Sequence, residues 1–177
     1  IKQMQNTASL CKAIIPGTER LIFIYQLAMH LDKGEFKEAL AIVKRNEPTL
    51  NDHLGIFDAT QKAEVYLYAS LALFVNNQFD KAHQFLQPVL LEHQMFYKLS
   101  VYKTFRLLGL LVHYELGNHD YIKHEIRSLK RQMQQEKDNK FLVEKAVCKF
   151  LSLDIKNCTT QQRKVIWQKT KPELLLI

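Results

Sequence analysis

Three stretches of the sequence decide the fold: KGEFKEA at residues 33–39, NQFDKA at residues 77–82 and GNHDY at residues 117–121. Each contains a turn residue that is followed by an aromatic side chain, and in the first two an alanine follows the aromatic by three positions. The turn residues Gly34, Asn77 and Gly117 lie 43 and 40 residues apart. A turn that recurs at such intervals is typical of stacked pairs of helices.

Apolar residues recur at spacings of three and four along nearly the whole chain, without the alternation that indicates strands. The spacing therefore predicts an all-α protein. We expect breaks at Pro16-Gly17 and at residues 157–160, a long joint at residues 47–58, and caps at Thr18, at Asp58 or Thr60, and at Thr159 or Thr160. The predicted helices cover residues 2–14, 18–32, 35–46, 59–76, 79–94, 98–116, 119–136, 139–155 and 160–170.

The composition agrees with long helices joined by short turns. Hydrophobic residues make up 47% of the 177 residues, and there are only 5 Gly and 4 Pro, which excludes a disordered, collagenous or turn-rich β chain. The length suits a single domain over residues 1–177. Because the chain starts at Ile1 rather than Met, we expect it to be part of a longer protein. No apolar run approaches the ~20 residues of a membrane span, so we expect a soluble protein.

The three cysteines, Cys11, Cys148 and Cys158, are odd in number and form no C-x-x-C pair. This pattern argues against a disulfide framework and against a zinc ribbon. It favours incidental or buried thiols in a reducing compartment, and therefore a cytoplasmic protein.

The net charge of the chain is +7, and the excess of positive charge lies in the last third. From residue 118 onward there are 13 Lys and Arg residues and 7 Asp and Glu residues.

The repeated residues resemble the tetratricopeptide-repeat family, in which a turn Gly or Asn is followed by an aromatic and then a small residue. In the first repeat Leu27 occupies the position where a small residue is expected. In the third repeat Gly109 does not fall at the position of the small residue, and His124 replaces the alanine. The residues that match best in the second repeat are Tyr66, Ser70, Leu73, Asn77, Phe79, Ala82 and Leu86, and in the first repeat Phe23, His30, Gly34, Phe36 and Ala39.

This resemblance implies a right-handed α-solenoid of antiparallel helix pairs, at about residues 18–46, 59–94 and 98–136, with flanking helices at 2–14 and 139–170. It also implies a scaffold that binds a protein or peptide on a concave face, without catalysis of its own. Residues 106–118 and 125–128 also resemble the C-terminal part of uncharacterised bacterial helical-repeat proteins, a likeness that brings no known activity.

Four residues are the predicted partner contacts: Tyr68, Lys103, Arg106 and His113. The last three share one face of a helix, where an arginine fork can bind a carboxylate of an acidic peptide. The alternative is structural, with Arg106 paired to a glutamate such as Glu64 or Glu115 and His113 packed in the core.

A second functional hypothesis is nucleic-acid binding by the basic last third, through Lys123, Arg127, Lys130 and Arg131. Nearby acidic residues dilute this charge, and Phe141 and Phe150 fall at apolar helix positions rather than at exposed stacking positions. A solvated basic face is therefore favoured over a nucleic-acid site.

Catalytic and metal-binding patterns are missing from the sequence. There is no glycine-rich phosphate loop, no G-x-S-x-G elbow and no zinc-binding pair of histidines at i and i+4. His119 and His124 are five residues apart, which places them on different faces of a helix. We therefore expect no enzyme, no cofactor and no metal.

Overall fold

The computed structural model describes residues 2–135, 142–152 and 159–175, with the side chains of α1 described from Ile15 onward. Every regular element in these ranges is helical, which confirms the all-α class. The helices are α1 (Lys2–Asp32), α2 (Phe36–His53), α3 (Ala59–Val75), α4 (Phe79–Leu91), α5 (His93–Phe96), α6 (Tyr102–Glu115), α7 (His119–Gln135), α8 (Leu142–Leu151) and α9 (Thr160–Leu175).

The chain divides into two compact units, Ile1–Val112 and His113–Ile177. In the first unit α3 contacts α1, α2 and α4, and α1 also contacts α2. Four small residues of α3 are completely buried and let the neighbouring helices approach its backbone: Ala63, Ala69, Ser70 and Ala72. In the second unit α8 contacts α7 and α9.

Two of the predicted breaks are wrong. Helix α1 runs through Pro16-Gly17, and α2 runs through Pro48 to His53 instead of ending at residue 46. A proline fits the helical φ angle and removes one backbone hydrogen bond, so packing can keep a helix continuous across it. Pro16 is buried, in keeping with this explanation for α1, whereas Pro48 is exposed and the continuation of α2 has no such explanation. Thr18 accordingly lies inside α1 and caps no helix.

Other predicted boundaries differ less. The second helix of the middle pair ends at Leu91 and is followed by the short α5, while α9 continues past residue 170 to Leu175. Asp58 and Gln61 form a reciprocal capping box at the start of α3, as the sequence predicts for Asp58. Thr159 and Gln162 make the same pair of bonds before α9. The predicted break at residues 157–158 and parts of the predicted helix 139–155 lie outside the described residues.

The three recurring turn residues adopt the same backbone conformation. Gly34, Asn77 and Gly117 have φ values of 73°, 59° and 77°, in the left-handed region. Each turn closes with two hydrogen bonds of 2.8 to 3.2 Å: the turn residue donates to the carbonyl three positions back, and the next residue donates to the carbonyl five positions back. This is the Schellman motif, which satisfies helix-terminal carbonyls and reverses the chain.

The position five residues after each turn residue is buried in all three cases. It is occupied by Ala39, Ala82 and Ile122, with exposures of 0%, 0% and 4%. Counting five residues from the turn therefore assigns the third small-residue position to Ile122. Counting three residues from the aromatic, as in the sequence analysis, assigns it to His124, which is exposed. The turn sets the register because its geometry fixes which face of the next helix turns inward.

A side chain beside the middle turn links the first two helix pairs. Asn76 Nδ2 donates to the carbonyl of Ala72 at 2.8 Å and to the carbonyl of Phe36, at the start of α2, at 2.7 Å. One amide group thus bonds both the end of its own helix and the beginning of a helix in the preceding pair.

Alanine substitutions at two glycines should have opposite effects on stability. A Cβ added at Gly34 or at Gly17 would meet no heavy atom within 4 Å, so the backbone alone decides the outcome. Gly34→Ala should lower the free energy of unfolding by about 1 to 2 kcal/mol, because alanine is strained at positive φ. Gly17→Ala should raise it by about 0.5 to 1 kcal/mol, because Gly17 lies inside α1. Urea unfolding of both variants measures this, and a destabilised Gly17→Ala would contradict a continuous α1.

Replacing Ala82 by Glu should destabilise the protein by more than about 3 kcal/mol, since it places an unpaired charge in a site that is 0% exposed. The exposed neighbour Lys81 offers the control, because Lys81→Glu adds the same carboxylate at the surface of α4. Thermal unfolding followed by circular dichroism compares the two variants. Equal melting temperatures for Ala82→Glu and the wild type would refute the assigned register.

Candidate interaction surface

Helix α1 is apolar on two opposite sides between Ile15 and Met29. One side packs into the first unit, where Phe23, Ile24 and Leu27 are buried. A helix that is apolar all round is ordinarily covered all round. In this structure the second side is exposed instead.

The exposed side forms a continuous stripe, here called the α1 stripe: Ile15, Thr18, Ile22, Tyr25 and Met29. These residues follow one another at spacings of three, four, three and four, so at 3.6 residues per turn they fall within roughly 80° of the helix circumference. Tyr25 is 70% exposed, Ile15 58%, Ile22 52% and Met29 43%. Leu21, 43% exposed, lies beside the stripe and widens it.

The α1 stripe carries no charge. From Ile15 to Met29 the only Asp, Glu, Lys or Arg residues are Glu19 and Arg20. Arg20 is buried on the core side and forms an ion pair with Glu64 of α3. Glu19 lies at the edge of the stripe, with its Oε2 atom 3.2 Å from Nδ1 of His53 on α2. Both groups therefore face partners within the first unit.

The size of the stripe is also informative. A large apolar or aromatic side chain has on the order of 150 to 250 Å² of surface, so half-exposed side chains at Leu21 and at the four large stripe positions offer on the order of 500 Å². The largest apolar patch on a typical monomer is roughly 300 to 600 Å² and often binds something. The α1 stripe belongs to the upper part of that range.

The structure places three of the predicted partner contacts at half-buried positions of the first unit. Tyr68 lies on α3, and Lys103 and Arg106 lie one turn apart on α6. Glu64, one of the glutamates considered as a partner for Arg106, accepts a hydrogen bond from Arg20. Lys103 and Arg106 remain the predicted contacts for an acidic group.

His113 lies in the last turn of α6 and contacts residues of the turn and helix that follow. It is 6% exposed, Asn118 Nδ2 donates to its Nδ1 at 2.9 Å, and its ring centroid lies 3.7 Å from that of Tyr121. The first turn has the same bridge at the equivalent positions, where Nδ1 of His30 lies 2.7 Å from Oε2 of Glu35. In both turns the side chain of a histidine in the last helical turn bonds the side chain of the residue that follows the turn glycine.

The four residues of the nucleic-acid hypothesis lie on α7 and are all exposed: Lys123, Arg127, Lys130 and Arg131. They are spaced so that their side chains share one side of the helix. Asp120, at the start of α7, lies 3.9 Å from Lys123, an exposed pair of little energetic weight. The opposite side of α7 is buried through Ile122, Ile126 and Leu129.

The described part of the chain contains no cluster of three or more His, Cys, Asp or Glu residues that could hold a metal ion. Burial and, to a lesser degree, the charge of Glu92 raise the pKa of Tyr66, which keeps its phenol neutral where it packs edge-on against Phe85. Cys148 is buried. No described helix is both long enough and apolar enough to cross a membrane.

The α1 stripe was not among the surfaces predicted from the sequence. Breaking the helix at Pro16-Gly17 separated Ile15 from Ile22 and Met29 and hid their seven-residue spacing. That spacing, combined with a second apolar face at Phe23 and Leu27, was the signal that would have indicated the surface.

A scan of the chain against protein-family models returns no match, and comparisons with curated proteins and with solved structures return none either. What this chain does is therefore inferred from its own residues.

Proposed function

We propose that this chain is a non-catalytic protein-interaction module with a tetratricopeptide-like, right-handed α-solenoid architecture. The observation that carries the proposal is the α1 stripe, an exposed and uncharged row of large side chains on a helix whose other side is in the core. Such a row is costly to leave in water, because each fully buried large side chain is worth about 1.5 to 3 kcal/mol. A protein partner that covers it is the simplest account of its presence.

The three Schellman turns support the solenoid part of the proposal. They recur every 40 to 43 residues, close with the same pair of backbone hydrogen bonds, and are each followed five residues later by a buried side chain. A chain that repeats one helix-turn-helix unit stacks its units side by side and exposes extended surfaces along the stack. Surfaces of this kind bind proteins and peptides without any catalytic group.

Two surfaces of the first unit suit different chemistries. The α1 stripe suits an apolar helix or strand, whereas Lys103 and Arg106 on α6 suit a carboxylate on an acidic segment. We place the main contact on the α1 stripe, because the side chains there are exposed, whereas those of Lys103 and Arg106 are half-buried.

Partner capture from native cell extract tests the proposal. The baits are the wild type, Ile22→Asp in the α1 stripe, and Lys103→Glu/Arg106→Glu on α6, each checked for native helix content by circular dichroism. Leu91→Asp is the matched control, since Leu91 is a 75% exposed apolar residue on α4. We expect a defined protein that binds the wild type and Leu91→Asp but is lost with Ile22→Asp, since a charge in an apolar contact costs several kcal/mol.

Loss only with the Lys103→Glu/Arg106→Glu variant would keep the interaction module but move its main contact to α6. If no bait retained a protein, across extracts from several growth conditions, and the wild type was also monomeric, that result would count against an interaction module.

A second candidate function is single-stranded nucleic-acid binding by α7, which the four exposed cations favour. If it holds, the logarithm of the affinity should fall with the logarithm of the salt concentration with a slope near −0.7 for each phosphate contacted, so about −3 for four contacts. Lys123→Glu/Arg127→Glu should then reduce the magnitude of that slope by roughly 0.7 for each cation removed.

Under the leading proposal we expect a fluorescently labelled oligonucleotide to bind weakly at low salt and to dissociate by about 0.15 M. Fluorescence anisotropy across a salt series measures both quantities. Tight binding that persists at 0.15 M salt and is lost in Lys123→Glu/Arg127→Glu would favour the nucleic-acid function.

A further inference from the structure

The α1 stripe has the geometry of a helix-pairing seam. From Ile15 to Met29 it extends about 21 Å along the helix at 1.5 Å per residue. Its alternating spacings of three and four residues place side chains where a second helix, inclined by roughly 20°, can insert its own side chains between them. The occupant that fits such a seam is a helix with the same spacing.

Helix α1 itself is such a helix, and the absence of charge allows it to meet its own copy. A contact around a twofold axis brings each residue close to the corresponding surface of the other copy, so any charge at its centre would face a like charge. The α1 stripe has no charged residue, and the carboxylate of Glu19, at the edge, lies beside His53. Nothing in the stripe therefore opposes self-pairing.

The size of the stripe also suits a second copy. A stable interface takes about 800 Å² from each partner. The apolar stripe supplies on the order of 500 Å² of that area, given the surface of large side chains. The adjoining polar residue Gln26, with the exposed part of Glu19, forms a polar rim along one edge of the stripe, as interfaces commonly have.

The order of side-chain sizes along the stripe indicates the direction of pairing. The bulky Tyr25 and Met29 lie toward its C-terminal end, and the small Thr18 lies toward its N-terminal end, with Ile22 between them. Parallel copies would set Tyr25 against Tyr25 and leave a gap at Thr18. Antiparallel copies set Tyr25 of one against Thr18 of the other and fill the space evenly.

We propose that two copies of this chain associate through the α1 stripe, with their α1 helices antiparallel and crossing near Ile22. This inference rests on the proposed interaction function and names its partner as a second copy. The centre of the contact is formed by Ile22 and Tyr25, and Ile15 and Met29 lie toward its ends.

Light scattering coupled to size-exclusion chromatography tests the association over a range of protein concentrations. We expect the wild type and the control Leu91→Asp to show twice the monomer mass. Ile22→Asp should retain its helix content and weaken association by at least tenfold, which corresponds to about 1.4 kcal/mol. A wild type that stays monomeric at about 100 μM, or an Ile22→Asp variant that dimerises as the wild type does, would overturn the inference.

Engineered cysteines test the direction. In a Cys11→Ser/Cys158→Ser background, which retains the buried Cys148, Ile22→Cys should form an intermolecular disulfide under mild oxidation because it lies near the axis. Ile15→Cys alone should not, because the two copies of that residue would be about 21 Å apart in the antiparallel arrangement, whereas a disulfide needs Cα atoms within roughly 7 Å. Efficient crosslinking at both positions would show parallel pairing and overturn the proposed arrangement.

The two proposals fail in different ways. A monomeric wild type that still captures a defined partner through Ile22 would overturn self-association and leave the interaction function in place. A monomeric wild type whose Ile22→Asp and Lys103→Glu/Arg106→Glu variants change no capture would remove both.

Discussion

The described structure depends on three residues held at positive φ. Gly34, Asn77 and Gly117 end α1, α3 and α6 with the same pair of backbone hydrogen bonds, and each reverses the chain within three residues. The reversal fixes the phase of the following helix, so that Ala39, Ala82 and Ile122 all turn inward. An ordinary side chain with a Cβ is strained in this conformation by about 1 to 2 kcal/mol, and the sequence meets that constraint with two glycines and an asparagine.

The sequence predicted the helical class and the turns because both depend on local signals. Apolar spacing and turn chemistry are read within a few residues, so the three turns and the cap at Asp58 were found at their correct positions. The break at Pro16-Gly17 was wrong for the opposite reason. Whether α1 continues through Pro16 depends on tertiary packing, since Pro16 is buried, and local patterns carry no information about packing; the continuation of α2 through the exposed Pro48 has no such explanation.

The candidate surfaces also differ in whether local sequence or tertiary packing determines them. Exposed cations on α7 were predictable, because the apolar stripe of Ile122, Ile126 and Leu129 identifies the side of the helix on which charged residues are solvated. The second apolar face of α1 is visible in the seven-residue spacing of the sequence once the helix is continuous, but only the structure shows that Ile22 and Tyr25 on that face remain uncovered. The bridge from His113 to Asn118 was equally hidden, since it needs the left-handed turn to bring residues five apart together.

The side chain of Asn76 has a consequence for how the first unit opens. Its amide bonds the carbonyl of Phe36 as well as its own helix, so the start of α2 and the end of α3 share one donor. Stacked helical repeats can lose their units one at a time when the contacts between units are weak. A hydrogen bond across the junction works against such independence. Amide hydrogens around Phe36 and around Asn76 should therefore exchange with solvent as one cooperative group. The two helix pairs would then unfold together rather than one at a time.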